Sequence, residues 1–212
     1  MRFMIKICGV TRPEDAEHAS KQGANAIGLN FWRGSKRFVE DPAAREILAA
    51  VPNDVLKVGV FVNAHPLVVT ETVADLKLDK IQLHGDEKVG SWDDLRNDQI
   101  IRAIRVHDQA SFKEALDWDP FLFIYDAFGA QFGGTGTPAP WELIAGQARR
   151  PFLLAGGLTA SNVTEGIRVT QPDGVDVASG VESGPGVKDH DKLRDFIRVA
   201  RTASLELGRT DV

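Results

Sequence analysis

Apolar residues along the chain fall into short, nearly unbroken runs, at residues 4–8, 26–31, 56–62, 80–83, 100–106, 121–125, 152–155 and 174–178. The runs are rich in Val, Ile, Leu and Phe, and most do not alternate polar with apolar. That pattern fits strands covered on both faces, as in a parallel sheet. Their starts recur about every 24 residues, room for one strand, one helix and two loops. Stretches of helical character separate them, at residues 13–22, 42–51, 66–76, 111–116, 141–148, 162–169 and 189–201. Between Gly85 and Asp98 the helical pattern is least developed. Thr11-Arg12-Pro13-Glu14 has the spacing of a capping box, and Asn162 and Glu165 repeat it. The capping role is the better reading of the glycosylation-like triplet Asn162-Val163-Thr164 as well.

No linker or low-complexity tract divides the 212 residues. Eight β/α units of about 26 residues fit a single closed (β/α)₈ barrel over residues 1–212, near the short end of that fold's range. Residues 202–212 are expected to be a frayed helix end. An open doubly wound sheet is the structural alternative, but neither G-x-G-x-x-G nor G-x-x-x-x-G-K-[ST] is present.

Charge and cysteine content narrow the possible partners. Lys and Arg total 25 against 30 Asp and Glu, a net charge of -5. The molecule therefore has no global attraction for nucleic acid or anionic lipid. No apolar run approaches the ~20 residues of a spanning helix. Lys6 interrupts the first apolar stretch, so it does not read as a secretory signal, and a cytoplasmic protein is expected. Nothing marks an apolar patch, which favours a monomer over a homodimer. The single cysteine, Cys8, has no disulfide partner in the chain and lacks the paired spacing of zinc thiolate sites.

A parallel barrel builds its site at the C-terminal ends of the strands. Cys8-Gly9 closes the first run, Gly34-Ser35-Lys36-Arg37 follows the second, Gln82-Leu83-His84-Gly85 closes the fourth, and Asp126 the sixth. Cys8 is either a small core filler or a reactive thiol, and Asp126 either a turn residue or an acid. Together on one face they suit general acid and base work. Arg37 is either solvated or poised to hold a carboxylate with its planar fork. Gln82 and His84 share a strand face, as substrate-facing groups or as core hydrogen-bonders. Ala155-Gly156-Gly157-Leu158 and Ala178-Ser179-Gly180-Val181-Glu182 follow the last two strands, where a barrel commonly holds phosphate on backbone N–H groups. Gly133-Gly134-Thr135-Gly136 is either a flap over the same mouth or a flexible loop. Strand alternation places Lys6 on the face of Cys8 and Asp176 on that of Ala178. Barrel closure then predicts a Lys6–Asp176 pair, unless a bulge turns one of them to solvent. Only His84-Gly85-Asp86 shows His-x-Asp spacing, so no metal site is expected.

The segments Lys6-Ile7-Cys8-Gly9-Val10-Thr11, Gly59-Val60-Phe61-Val62-Asn63, Gln82-Leu83-His84-Gly85-Asp86-Glu87, Gly133-Gly134-Thr135-Gly136, Ala155-Gly156-Gly157-Leu158 and Asp176-Val177-Ala178-Ser179-Gly180-Val181-Glu182, in this order, resemble the phosphoribosylanthranilate isomerase family. The resemblance spans nearly the whole chain. It implies a cofactor-free Amadori rearrangement in tryptophan biosynthesis, from N-(5-phosphoribosyl)anthranilate to 1-(2-carboxyphenylamino)-1-deoxyribulose 5-phosphate. By motif, it implies Asp126 as general acid, Cys8 as general base, Arg37 on the anthranilate carboxylate and Asp176 at the sugar. Gly156, Gly157, Ser179 and Gly180 would hold the phosphate. Two departures stand out. The family's aromatic and Asp or Asn after G-G-T-G are replaced within Thr137-Pro138-Ala139-Pro140-Trp141, and Ser-Pro-Arg becomes Ser35-Lys36-Arg37. Other readings are a second phosphosugar isomerase or epimerase, which would want metal ligands at several strand ends, and a non-catalytic sugar-phosphate-binding barrel, against which Cys8 and Asp126 argue.

Overall fold

The computed structural model describes residues 3–92, 95–127, 141–149 and 151–209. Eight parallel strands close into one barrel in chain order. They are β1 (Met4–Cys8), β2 (Ala26–Asn30), β3 (Leu56–Phe61), β4 (Lys80–Leu83), β5 (Ile100–Val106), β6 (Leu122–Ala127), β7 (Phe152–Leu154) and β8 (Gly174–Val177). Each coincides with one of the eight apolar runs to within two residues at either end. The helices are α1 (Pro13–Lys21), α2 (Asp41–Ala49), α3 (Pro66–Leu76), α4 (Trp141–Gln147), α5 (Val163–Thr170) and α6 (His190–Glu206).

Strand alternation sorts the apolar residues into two layers. Ile5, Ile7, Ile27, Leu29, Ile81, Leu83, Ile104 and Tyr125 belong to the large buried cluster between strands and helices. Met4, Ala26, Val58, Ile101, Ala103, Leu122, Ile124 and Leu153 form a separate inner cluster that fills the barrel. Lys6, Gln82 and Asp176 lie on the inner parity of their strands, above this apolar floor. β1 pairs with β8 in a register that sets Lys6 beside Asp176, which is how the barrel closes.

Several local expectations give way to tertiary contacts. Arg12, not Thr11, is the N-cap residue of α1, and its side chain makes no capping bond to the helix backbone. The Thr11 hydroxyl instead donates to the Gly186 carbonyl at 2.6 Å. Asn162 caps α5 without a side-chain bond to it. Its amide ties the preceding loop, accepting from Thr159 N and donating to Gly157 O, while Glu165 is taken by Arg168. After β5 the chain makes a 3₁₀ helix, Gln109–Ala115, with Asp108 and Ser111 capping each other reciprocally.

Between β4 and β5 the described residues contain only a short 3₁₀ turn, Asn97–Gln99. Polar contacts occupy part of the space a helix would cover. Arg102, on the outer face of β5, donates to the Leu83 and Gly85 carbonyls and pairs with Glu87 at 2.8 Å. Glu87 also accepts from the backbone N–H groups of Asn63 and Gly85. The C-terminal stretch expected to fray is helical to Glu206, with Ala203 and Ser204 buried. Beyond it Arg209 bonds Asp173 at 2.8 Å and the Gln171 carbonyl, which docks this end onto the turn before β8.

After β8 the chain forms a hairpin absent from the sequence expectations, β9 (Glu182–Gly184) with β10 (Val187–Lys188). Gly186 turns it at a φ of +81°. Asp15 of α1 anchors this hairpin: it accepts from Arg12, from the Lys188 backbone N–H and faces His190 Nε2 at 3.0 Å. Burial works against its charge, but Arg12, the Lys188 N–H and His190 outweigh burial and hold the Asp15 carboxyl below the usual carboxylate range. A carboxylate with a depressed folded-state pKa contributes stability that is intact above about pH 4 and is lost as the pH falls further. Asp15→Asn is expected to lower unfolding free energy by about 1–3 kcal/mol at neutral pH and to flatten the loss of stability below about pH 4. Denaturant titrations at neutral and acid pH check this; a variant with the wild-type pH dependence would contradict it.

Candidate active site

The C-terminal ends of β1 to β4 and β6 to β8, with the loops that follow several of them, line one open-mouthed cavity. Cys8, Arg37, His84, Asp126 and Asp176 line it, with Gly156, Gly157, Ser179 and Gly180 on the side of the last two strands. Every sequence candidate that lies within the described residues thus reaches one cavity, except Gln82, which is fully buried behind His84. Gly133, Gly134 and Gly136, and residues 137–140 of the altered loop, lie outside the described residues.

Gln82 is a core hydrogen-bonder. Its side-chain amide lies 2.9 Å from His84 Nδ1. With the amide N–H donating to Nδ1, the imidazole proton sits on Nε2, which faces Asp126 Oδ2 at 3.4 Å. Histidine therefore meets the candidate acid across two strands, not its sequence neighbour Asp86. Among the described residues no group of three or more His, Cys, Asp or Glu side chains is placed to hold a metal ion.

Beneath the cavity, Lys6 Nζ donates to Asp176 Oδ1 at 2.8 Å, with Lys6 fully buried. This is the pair that closure required. Burial alone would push the Lys6 ammonium down, but Asp176 and Cys8 outweigh burial and raise it above the ordinary lysine value. For Cys8, burial pushes the thiol up, Lys6 opposes that, and the net displacement is upward. The uncomplexed site thus favours a thiol over a thiolate.

Arg37 already holds a carboxylate, and it is the protein's own. Its Nε and Nη2 meet Glu182 Oε1 and Oε2 at 2.7 Å each. Glu182 is shared with Lys188, whose Nζ lies 2.9 Å from Oε1 and also donates to the Cys8 and Ala178 carbonyls. Burial raises the Glu182 carboxyl less than Arg37 and Lys188 lower it, so Glu182 is held as the anion. The bidentate fork read for Arg37 is therefore real but occupied. Both Nη1–H groups and the second Nη2–H are not used by this fork.

The two glycine turns suit close approach to an anion. Gly156 and Gly157 hold φ of +92° and +64°, a region that L side chains rarely adopt. A Cβ on Gly180 would fall 1.8 Å from the Leu158 carbonyl oxygen, so the two turns pack backbone to backbone. Sequence reasoning missed two members of this site. Glu182 was noted only as part of a motif, and Lys188 carried no signal, because its role depends on the hairpin that folds it back under Cys8.

A family model described as N-(5'phosphoribosyl)anthranilate (PRA) isomerase matches residues 5–199. An N-(5'-phosphoribosyl)anthranilate isomerase from Magnetococcus marinus is 42% identical over 209 residues, covering 96% of this chain and 97% of that one. The crystal structure of phosphoribosyl anthranilate isomerase from Thermotoga maritima superposes with a TM-score of 0.88 at 36% identity, over 94% of this chain and 99% of that one. A second solved isomerase, in complex with reduced 1-(o-carboxyphenylamino)-1-deoxyribulose 5-phosphate, gives 0.83 at 35% identity over 94% and 99%. With the family model spanning the barrel from its first strand into its last helix, this chain belongs to the N-(5'-phosphoribosyl)anthranilate isomerase family.

Proposed function

We propose that this protein isomerises N-(5'-phosphoribosyl)anthranilate to 1-(2-carboxyphenylamino)-1-deoxyribulose 5-phosphate, a step of tryptophan biosynthesis. The observation that carries the reading is one cavity with a thiol on β1, a carboxyl on β6 and two glycine turns at its rim. A sugar phosphate held by Gly156, Gly157, Ser179 and Gly180 lays its ring between Cys8 and Asp126. Asp126 protonates the ring oxygen, the C1–O bond breaks, and the anilino nitrogen becomes an iminium at C1. Cys8, as thiolate, takes the C2 proton, and the electron pair left on carbon neutralises the iminium as an enaminol. Protonation at C1 with loss of the enol proton gives the ketone. The proton gained by Cys8 and the one lost from Asp126 balance through solvent, so no redox partner or cofactor enters.

The neighbours support these roles. His84 Nε2–H faces the carboxylate that Asp126 becomes after giving up its proton, and Gln82 keeps the ring in that tautomer. Asp176 lies at the cavity floor, where it reaches the sugar hydroxyls. Arg37, with its fork fixed by Glu182, offers Nη1 and its face to the anthranilate end. Phosphate anchoring supplies binding energy remote from the reacting carbon. All these residues belong to one chain, so none of the named roles needs a second copy, and the reading stays with a monomer acting on a small phosphosugar. The reading is for a cytoplasmic enzyme, which the lack, among the described residues, of a helix long and apolar enough to cross a membrane supports.

Loss of phosphoribosylanthranilate fluorescence, with the substrate generated in situ and chelator present, measures the reaction. Wild-type protein is expected to turn over, and Cys8→Ser and Asp126→Asn to fall by at least ~10²-fold each. A folded wild type without turnover would remove the assignment; full activity in either variant would remove that residue's role. The pH dependence of kcat/KM provides a second check, since it reports ionisations of the free enzyme. Because burial raises the Cys8 thiol, the thiolate is scarce at neutral pH. kcat/KM is expected to show, besides any limb set by the acid, one ionisation above the ordinary thiol value, and a profile without that ionisation would contradict Cys8 as the base.

A further inference from the structure

We propose that Lys6 is a positioning residue for the reaction, the buried counter-ion that lets Cys8 exist as a thiolate beside Asp176. The inference rests on the reading of Cys8 as the base, and it gives that base its electrostatic support. Three features of the geometry carry it. Lys6 and Cys8 are two residues apart on β1 and so project from the same face, into the barrel. Lys6 Nζ is bound to Asp176 Oδ1 at 2.8 Å, from the adjacent strand. The third is a notch in β2 at Gly28. A Cβ there would meet Lys6 Nζ at 3.0 Å and Cys8 Sγ at 3.2 Å, so both reach into the same small volume, which the glycine leaves open.

The charge balance then follows. A Lys–Asp pair inside a barrel is a costly choice compared with apolar filling, and an apolar cluster fills the barrel below it. With Lys6 present, ionising Cys8 adds one negative charge next to an ammonium. Without it, the thiolate and the Asp176 carboxylate would be two buried anions side by side, which low polarity penalises heavily. Other charges around Cys8 are already engaged. Lys188 from β10 pairs with Glu182 and uses the Cys8 carbonyl, not its sulfur. Arg37 is locked on Glu182. From β4 and β6, His84 and Asp126 face each other. Among the groups lowering the thiol, Lys6 is foremost, while Asp176 raises it.

The two charged partners are therefore expected to act on Cys8 with opposite signs, which a merely structural pair would not do. Cys8 is the only cysteine in the chain, so ultraviolet thiolate absorbance and the pH dependence of iodoacetamide alkylation report it alone. In Lys6→Met the titration midpoint is expected to rise by ~1 pH unit or more, the range of a neighbouring charge. In Asp176→Asn it is expected to fall. Lys6→Met/Asp176→Asn removes both charges, avoids a lone buried carboxylate and is expected to lie between the two; Gly28→Ala, which crowds both groups, is expected to raise the midpoint. The double variant and Gly28→Ala keep the test open if Lys6→Met does not fold. Midpoints unchanged across the folded variants, or moving in the same direction for Lys6→Met and Asp176→Asn, would overturn the proposal. Turnover of the same preparations separates the two claims: inactive wild type with the expected thiol shifts sinks the isomerase reading alone, and active wild type with unmoved midpoints sinks this one alone.

Discussion

Everything in the site hangs on the register between the first and last strands. β1 and β8 meet with Lys6 opposite Asp176, and an ion pair buried this completely tolerates no slip of register. One residue of slip by either strand would turn its own charge into the apolar layer beneath the helices and leave the other buried without a partner. The same register fixes the height of Cys8 above the pair and aligns the glycine turn after β8 with that after β7. Apolar filling below, charged pairing at mid-height and reactive groups at the rim form successive levels of one interior. Each level depends on the one below being in place.

A second electrostatic layer surrounds this column. Glu182 and Lys188 come from the hairpin after β8, and Arg37 from the loop after β2. Together they form a closed network that touches the Cys8 carbonyl and borders the cavity. Its single anion is held by two cations, so the network leaves one net positive charge beside the pocket. Its effect is to fix the fork of Arg37 in one orientation, edge toward Glu182. The guanidinium that borders the cavity is thereby held in place, and both Nη1–H groups and one Nη2–H remain as donors.

What could be read from the chain and what could not divides along the range of the interactions. The strands were legible because apolar runs such as 100–106 record burial on both faces, a requirement each strand meets by itself. The convergence of Cys8, His84, Asp126 and Asp176 followed from one rule about strand ends, and the Lys6–Asp176 pair from alternation plus closure. Capping went wrong where a local motif met a stronger distant partner. Thr11 bonds Gly186 instead of its own helix, and Asn162 holds a loop. Among the described residues no α-helix follows β4, where the helical pattern was already weakest, but the Arg102–Glu87 pair found there spans 15 residues and carried no mark in the sequence. Arg37 was read as a free fork because its partner, Glu182, lies 145 residues away.

The pair that closes the barrel joins residues 170 positions apart in the chain. During synthesis the thiol leaves the ribosome long before the carboxylate that neighbours it. Until then Lys6 has no opposite charge and the barrel has an open edge on β1. A partly made chain therefore holds Cys8 and Lys6 without Asp176, and the cavity is complete only once the last strand has docked on the first.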